Sequence, residues 1–102
     1  MHPTIDSNRR ALGELCRQAG VTRLELFGSA ARDDFDETRS DFDFLVEFDD
    51  NPSRRVLETY FGLKASLERL LHRPVDLVSL AAVENPYIRA DIERSRTLVY
   101  EA

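Results

Sequence analysis

The stretch LFGSAARDDFDETRSDFDFLVEF, residues 26–48, decides the fold, because a Gly-Ser step is followed in it by an acidic, strictly alternating strand. From Phe42 to Phe48 every second residue is large and apolar. Successive strand residues point to opposite faces, so these side chains share one face and Asp41 and Asp43 share the other. Charged side chains in a buried strand are costly unless something pairs with them. The two aspartates therefore indicate a function and not only a fold.

The chemistry of two such carboxylates is metal binding. In a strand, the Cβ atoms of Asp41 and Asp43 are about 6–7 Å apart, a spacing that lets them bind one divalent cation or share two. A third carboxylate, Asp76, lies between Val75 and Leu77 in a short apolar segment. If that segment is a neighbouring strand, Asp76 joins the pair, and three carboxylates around Mg²⁺ suit phosphoryl transfer.

Gly28 and Ser29 come at the end of a predicted strand and the start of a predicted helical turn. Backbone N–H groups at such a point favour anions, and glycine allows close approach of a phosphate. The sequence has no P-loop lysine motif, so backbone, the Ser29 hydroxyl and metal would hold the phosphate, with Arg32 as an additional candidate. Taken alone, Gly-Ser is more often a simple turn, and Arg32 reads equally well as a surface residue.

The composition narrows the class of protein. We expect a single domain over residues 1–102, and the net charge of −5 argues against nucleic acid as the main partner. The lone cysteine, Cys16, falls on the apolar face of the first helix and is predicted to be a core residue. No apolar run approaches membrane-spanning length, and residues 1–10 do not resemble a signal peptide. We therefore expect a cytoplasmic protein.

The hydrophobic pattern predicts an α/β (α+β) fold, in which helices cover a small sheet of three to four strands. Whether the sheet is parallel or mixed does not follow from the pattern. The buried stripe of the long third helix is predicted to run from Val56 to Leu71, and Tyr60, Tyr87 and Tyr100 are predicted to be packing residues. The predicted helices cover residues 4–20, 30–35, 54–73 and 85–96, and the predicted strands cover residues 22–28, 40–48 and 74–80, with a β-like segment at 97–101.

The ordered Gly-Ser and Asp-x-Asp resemble the signature of the DNA polymerase beta-type nucleotidyltransferase superfamily. The spacer from Ala30 to Ser40 is one residue longer than is commonest in small bacterial members. The later segments LKASLERLLHRPVDLVSL, residues 63–80, and NPYIRADIERSRTLVYEA, residues 85–102, resemble the second half of the minimal nucleotidyltransferases (MNT), which are antitoxin partners of HEPN-domain toxins. The resemblance covers residues 24–102.

This resemblance implies a nucleotidyltransferase core with an intact site. Asp41 and Asp43 would bind Mg²⁺, as two ions, and Asp76 would complete the site and help to activate the acceptor hydroxyl. Gly28 and Ser29 would contact the triphosphate of ATP. The implied activity is transfer of AMP from ATP to a tyrosine hydroxyl of a partner HEPN ribonuclease toxin, in a bacterial or archaeal cytoplasm.

Two other functions remain open on the sequence. The protein could silence its toxin by binding alone, which would not need the carboxylates. It could also transfer a nucleotide to a small molecule such as an aminoglycoside, although such enzymes usually need more chain to form the acceptor site.

Overall fold

The alternating acidic segment forms the second strand of a four-stranded mixed sheet. The computed structural model describes residues 1–32, 34–38 and 40–102. Its strands are β1 (Val21–Phe27), β2 (Phe42–Phe48), β3 (Val75–Val78) and β4 (Thr97–Glu101), and its helices are α1 (Pro3–Ser7), α2 (Arg9–Ala19), α3 (Val56–Leu71) and α4 (Pro86–Ser95). None of the helices in these ranges is long and apolar enough to span a membrane.

The order of the strands in the sheet is β3-β2-β1-β4. β1 pairs antiparallel with both β2 and β4, whereas β3 pairs parallel with β2. The predicted α/β class and small sheet are confirmed, and the strand directions that the sequence left open are those of a mixed sheet. The parallel pair is joined by α3, as a crossover between parallel strands requires.

The two faces of the sheet are packed differently. Phe42 and Phe44 of β2 are fully buried in a core that α2 and α3 complete, where Cys16 is also fully buried, as predicted. A smaller cluster covers the opposite face, where Phe27 and Leu45 pack with Ile92 of α4 and with Val83. The alternation of β2 therefore separates a continuous apolar core from the face that carries Asp43.

The first predicted helix is in fact two helices, which meet at Asn8. The Asn8 side-chain amide donates a hydrogen bond of 2.7 Å to the Thr4 carbonyl. This bond takes an acceptor that the backbone ladder of a continuous helix would use, so the helix breaks there. The predicted stop at Gly20 is confirmed, since that residue has a left-handed φ of 74°.

Two further predictions were wrong in detail. The predicted helix at 30–35 is replaced by a single 3₁₀ turn over Gly28–Ala30, and Asp33 lies outside the described residues. In α3, Val56 and Leu57 are exposed and the fully packed stripe begins at Leu63. The first turn of α3 has the apolar residues of a core helix but lies beyond the residues that pack on the sheet.

Glu25 forms a buried ion pair that the sequence analysis did not predict. Its carboxylate accepts hydrogen bonds from the Arg96 Nε and Nη2 atoms at 2.9 and 2.8 Å, and from Arg23 Nε at 2.9 Å. The hydrogen bonds from Arg96, together with the charges of both arginines, lower the pKa of Glu25. The pair links β1 directly to the residue that follows α4.

Candidate active site

Strand register places Asp43 at the centre of the candidate site. Asp43 is the register partner of Phe27, the last residue of β1, and of Asp76 in β3. Paired residues on adjacent strands point to the same face, so the Asp43 and Asp76 side chains lie side by side. Asp41 lies just before the start of β2 and is exposed, so the strand begins two residues later than predicted.

Gly28 contacts Asp43 so closely that no other residue fits there. The φ angle of Gly28 is 75°, and a Cβ atom added to it would lie 2.5 Å from Asp43 Oδ2. A side chain at this position would therefore be strained in the backbone and would also collide with the carboxylate. The Gly-Ser step and the Asp-x-Asp motif, separated by eleven residues in the sequence, meet directly in the fold.

The backbone N–H of Gly28 is not available to a phosphate. It donates a buried hydrogen bond of 2.9 Å to Ser95 Oγ, and the Gly28 carbonyl accepts from the N–H groups of Ala31 and Arg32. Ser29 is partly exposed, and no described residue hydrogen-bonds its hydroxyl. Any anion at this turn would therefore be bound at Ser29 and not at Gly28.

The electrostatic environment of Asp43 is opposite to that of an ordinary surface carboxylate. Burial raises the pKa of Asp43 to about 6, and the negative charges of Asp76, Asp41 and Asp91 add to the rise. No lysine or arginine among the described residues forms an ion pair with it. A half-buried carboxylate surrounded by other carboxylates is stabilised by a bound cation.

A cavity of about 670 Å³ opens beside these carboxylates. It is lined by Asp43, Asp76 and Asp91, together with apolar and aromatic side chains from β1, β3, α3 and α4. Tyr60 lines the wall and donates a hydrogen bond from its hydroxyl to the Leu77 carbonyl. A volume of this size, with acidic groups on an otherwise apolar wall, suits a nucleotide-sized ligand.

Two tyrosines predicted to be packing residues line this cavity. Tyr60 is partly buried and packs against the main core, so the prediction is confirmed in part for this residue. Tyr87, at the start of α4, is 85% exposed. Tyr87 is therefore a surface residue, because the first turn of α4 lies at the mouth of the cavity and not on the sheet.

Asp91 is the member of the site that sequence reasoning missed. It lies in α4, for which the sequence pattern predicted a helix over residues 85–96 but no site residue. The Arg32 guanidinium forms ion pairs with Asp91 and with Asp34, at 3.2 Å from Nε to Asp34 Oδ1. Arg32 is thus already held by two carboxylates at the edge of the site, and its phosphate role stays a prediction. Only the docking of α4 brings Asp91 to the strand aspartates, so no linear spacing could have revealed it.

Comparison with known proteins identifies the family. The sequence profile of the nucleotidyltransferase domain matches residues 9–99. The chain therefore belongs to the nucleotidyltransferase domain family, and the predicted superfamily and enzyme class are confirmed.

The relatives of the chain include both sequences and solved structures. A Methanocaldococcus jannaschii protein named "Putative protein adenylyltransferase MJ1379" is 40% identical over 80 residues, which are 78% of this chain and 76% of that protein. A solved structure described as a "putative minimal nucleotidyltransferase" matches with a TM-score of 0.74 at 36% identity, over 95% of each chain. An MNT antitoxin in complex with the tri-AMPylated HEPN toxin of Shewanella oneidensis has a TM-score of 0.64 over 96% of this chain and 73% of that one. At 18% identity, that last likeness shows the fold alone.

Proposed function

We propose that this protein transfers AMP from ATP to a tyrosine hydroxyl of a partner HEPN-domain toxin and so acts as the antitoxin of that toxin. The observation that carries the proposal is the contact of Gly28 with Asp43, which is itself paired in register with Asp76. This contact brings together a turn suited to phosphate and carboxylates suited to metal, beside a cavity large enough for a nucleotide.

The acidic residues fit Mg²⁺ by their donor chemistry. Asp41, Asp43 and Asp76 offer only oxygen ligands, which Mg²⁺ prefers. Burial and the neighbouring carboxylates raise the pKa of Asp43, and a cation bound there would stabilise its charged form. Among the described residues, no three acidic, histidine or cysteine side chains already lie together as metal ligands. Binding by all three would therefore require Asp41 to join the Asp43 and Asp76 side chains, which already lie side by side. When bound, Mg²⁺, as two ions, would neutralise the triphosphate and stabilise developing negative charge.

The remaining roles belong to side chains around this centre. Ser29, with its hydroxyl free of described partners, would bind the triphosphate, and Gly28, which has no side chain, would let the turn lie against Asp43. Arg32 would contribute only if a phosphate replaced one of its two carboxylate partners. Asp76 is exposed at the edge of the sheet, where an incoming hydroxyl reaches it.

The reaction follows from this arrangement. The tyrosine oxygen forms a bond to the α-phosphorus of ATP, and the bond from that phosphorus to the α,β-bridging oxygen breaks, so pyrophosphate leaves. Asp76 would accept the proton of the tyrosine hydroxyl. The product is a tyrosine carrying AMP through a phosphodiester bond.

The choice of a protein acceptor rests on the relatives. The M. jannaschii relative carries the name "Putative protein adenylyltransferase", and the S. oneidensis complex contains an AMPylated HEPN toxin. The net charge of −5 favours a basic protein over nucleic acid as the acceptor. A bacterial or archaeal cytoplasm, where such a toxin would act, is part of the same proposal.

The direct test is incubation with ATP labelled at the α-phosphate, Mg²⁺ and a HEPN-domain protein that binds this chain. We expect label on a tyrosine of that protein, and loss of label when the tyrosine is changed to Phe or when Mg²⁺ is chelated. A wild-type protein that is folded and binds its partner but leaves it unlabelled would contradict the proposal. Label on an aminoglycoside, without any on the partner, would favour a small-molecule acceptor.

Binding-only neutralisation is the second candidate, favoured by exposed large apolar side chains on α3 and α4. Leu57, Phe61 and Tyr87 are 70, 60 and 85% exposed, which is typical of protein contact surfaces. The variant Asp41→Asn with Asp43→Asn distinguishes the two mechanisms. If the double variant still binds the toxin but no longer neutralises it, catalysis is required; if it neutralises like the wild type, binding is sufficient.

A further inference from the structure

We propose that Ser95 is a positioning residue of the active site, which fixes the Gly28–Arg32 turn against Asp43 so that Ser29 meets the triphosphate. The inference rests on the proposed function, because it concerns nucleotide binding at the same site. Ser95 belongs to none of the motifs that define the site, and it lies 67 residues from its partner in the sequence.

The Ser95 hydroxyl both accepts and donates a hydrogen bond within the chain. It accepts the Gly28 N–H at 2.9 Å and donates to the Asp91 carbonyl at 2.7 Å. Ser95 and Gly28 are both buried, so water cannot replace the bond if the hydroxyl is removed. An unpartnered N–H would remain in Gly28, the residue at which an added Cβ would lie 2.5 Å from Asp43 Oδ2.

The second end of the same turn is also held by α4. The N–H of Arg32 bonds the Gly28 carbonyl at 3.0 Å, which closes the turn, and the Arg32 guanidinium binds Asp91. Ser29 thus lies between two points that α4 fixes, at Gly28 through Ser95 and at Arg32 through Asp91. Ser29 has no described hydrogen-bond partner of its own, so its placement depends on the turn around it. These two contacts from α4 act together with a bond from the His2 N–H to the Ala30 carbonyl at 2.8 Å and with the burial of Ala30 in the main core.

Attachment of α4 to the sheet does not depend on Ser95. Ile92 is fully buried against Phe27 and Leu45, and Arg96 is held by the Glu25 carboxylate. Removal of the Ser95 hydroxyl therefore leaves the helix docked and loosens mainly the turn. Because α4 stays docked without the Ser95 hydroxyl, removal of the hydroxyl should weaken nucleotide binding. A hydroxyl with only a structural role would not have this effect.

The experiment compares Ser95→Ala with Thr97→Val as a matched control. Thr97, the first residue of β4, also bears a hydroxyl on a partly buried residue, which donates to the Ser95 carbonyl at 3.0 Å and makes no hydrogen bond to Gly28. The measurements are the dissociation constant of a non-hydrolysable ATP analogue with Mg²⁺, the KM for ATP and kcat with the partner, and the melting temperature.

For Ser95→Ala we expect the dissociation constant and the KM for ATP to rise about tenfold, the effect of one lost buried hydrogen bond, with a much smaller change in kcat. Thr97→Val should lose a similar amount of thermal stability with nucleotide binding unchanged. Ser95→Thr, which keeps the hydroxyl, should restore binding. In amide exchange, the Gly28 N–H should be protected in the wild type and in Thr97→Val but not in Ser95→Ala.

Several results would overturn the inference. Nucleotide binding by Ser95→Ala equal to that of the wild type would do so, as would an equal loss in Thr97→Val. If Ser95→Ala does not fold, Ser95→Cys, which keeps the volume but accepts hydrogen bonds weakly, must weaken ATP binding relative to Ser95→Thr, or the inference fails. A wild type that binds the analogue but transfers nothing would contradict the proposed function and leave this inference standing, because binding is measured without the acceptor.

Discussion

Glu25 and Asp43 lie on the same face of the same sheet, yet their surroundings are electrostatic opposites. Glu25 is 4% exposed and bound by two arginines, which lower its pKa. Asp43 is half-buried among three other carboxylates, and its pKa is raised to about 6. The first carboxylate is satisfied within the chain and holds the fold together. The second is left unsatisfied, which is typical of a residue that waits for a ligand.

The largest expected effect tests the role of the unsatisfied carboxylate. Asp43→Asn should reduce AMP transfer about a thousandfold, because a metal ligand supplies several kcal/mol of transition-state stabilisation. The measurement is the rate of label transfer from α-labelled ATP to the partner. Glu47→Gln is the matched control, since Glu47 is an exposed carboxylate further along the same strand. Activity of Asp43→Asn near that of the control would mean that Asp43 is not part of the catalytic centre.

The next effect tests the satisfied carboxylate. Arg96→Met should lower the free energy of unfolding by about 3 kcal/mol, because it leaves Glu25 buried with only Arg23 as a partner. Arg94→Met serves as the control: Arg94 lies in the last turn of α4, two residues before Arg96, but its side chain is 70% exposed and pairs with Asp91 at the surface. Denaturant unfolding of both variants measures the difference. Equal stability of the two would show that the buried pair contributes no more than a surface pair.

The pH dependence of stability sharpens the same contrast. The folded-state pKa of Glu25 is below its ordinary value of 4.5, so between these two values the unfolded chain binds more protons than the folded one. The stabilisation by the pair is therefore complete above the ordinary value and is lost as the pH falls through the folded-state pKa. Unfolding free energies measured from about pH 7 down to about pH 3 should fall less steeply in Arg96→Met than in the wild type. Parallel curves would exclude Glu25 as a source of the acid sensitivity.

The smallest effect concerns Asp43 in metal-free protein. Its folded-state pKa of about 6 exceeds the ordinary 3.8, so its contribution favours the folded state at low pH and is lost as the pH rises through about 6. The Asp43→Asn variant carries no ionisable group at this position. Its free energy of unfolding relative to that of the wild type should therefore be about 1 kcal/mol higher above this pH than at acid pH. Thermal unfolding in chelator at several pH values measures this gain. Added Mg²⁺ should raise the melting temperature of the wild type and not that of the variant; a clear destabilisation of Asp43→Asn in chelator would give Asp43 a structural role instead.

Features that depend only on the local sequence pattern, such as strand faces and helix ends, could be predicted from the sequence. The alternation of β2 identified which face is buried and which carries Asp43, and the left-handed stop at Gly20 followed from glycine alone. The same reasoning failed where local pattern and tertiary contact disagree. Val56, Leu57 and Tyr87 have the residue types of a core and are exposed, because the first turns of α3 and α4 do not pack on the sheet.

The sequence by itself determined the class of chemistry: an Asp-x-Asp on one strand face, a Gly-Ser turn before it and a further strand aspartate after it. Tertiary structure alone decided how these parts meet. The parallel pairing of β2 with β3 set Asp76 beside Asp43, and the docking of α4 brought Asp91 to the carboxylates, Ser95 to the Gly28 N–H and Arg96 to Glu25. The physical reason is the range of the interactions. Side-chain periodicity is fixed by the backbone geometry of a few adjacent residues, whereas strand register and helix docking are fixed by contacts between residues far apart in the chain.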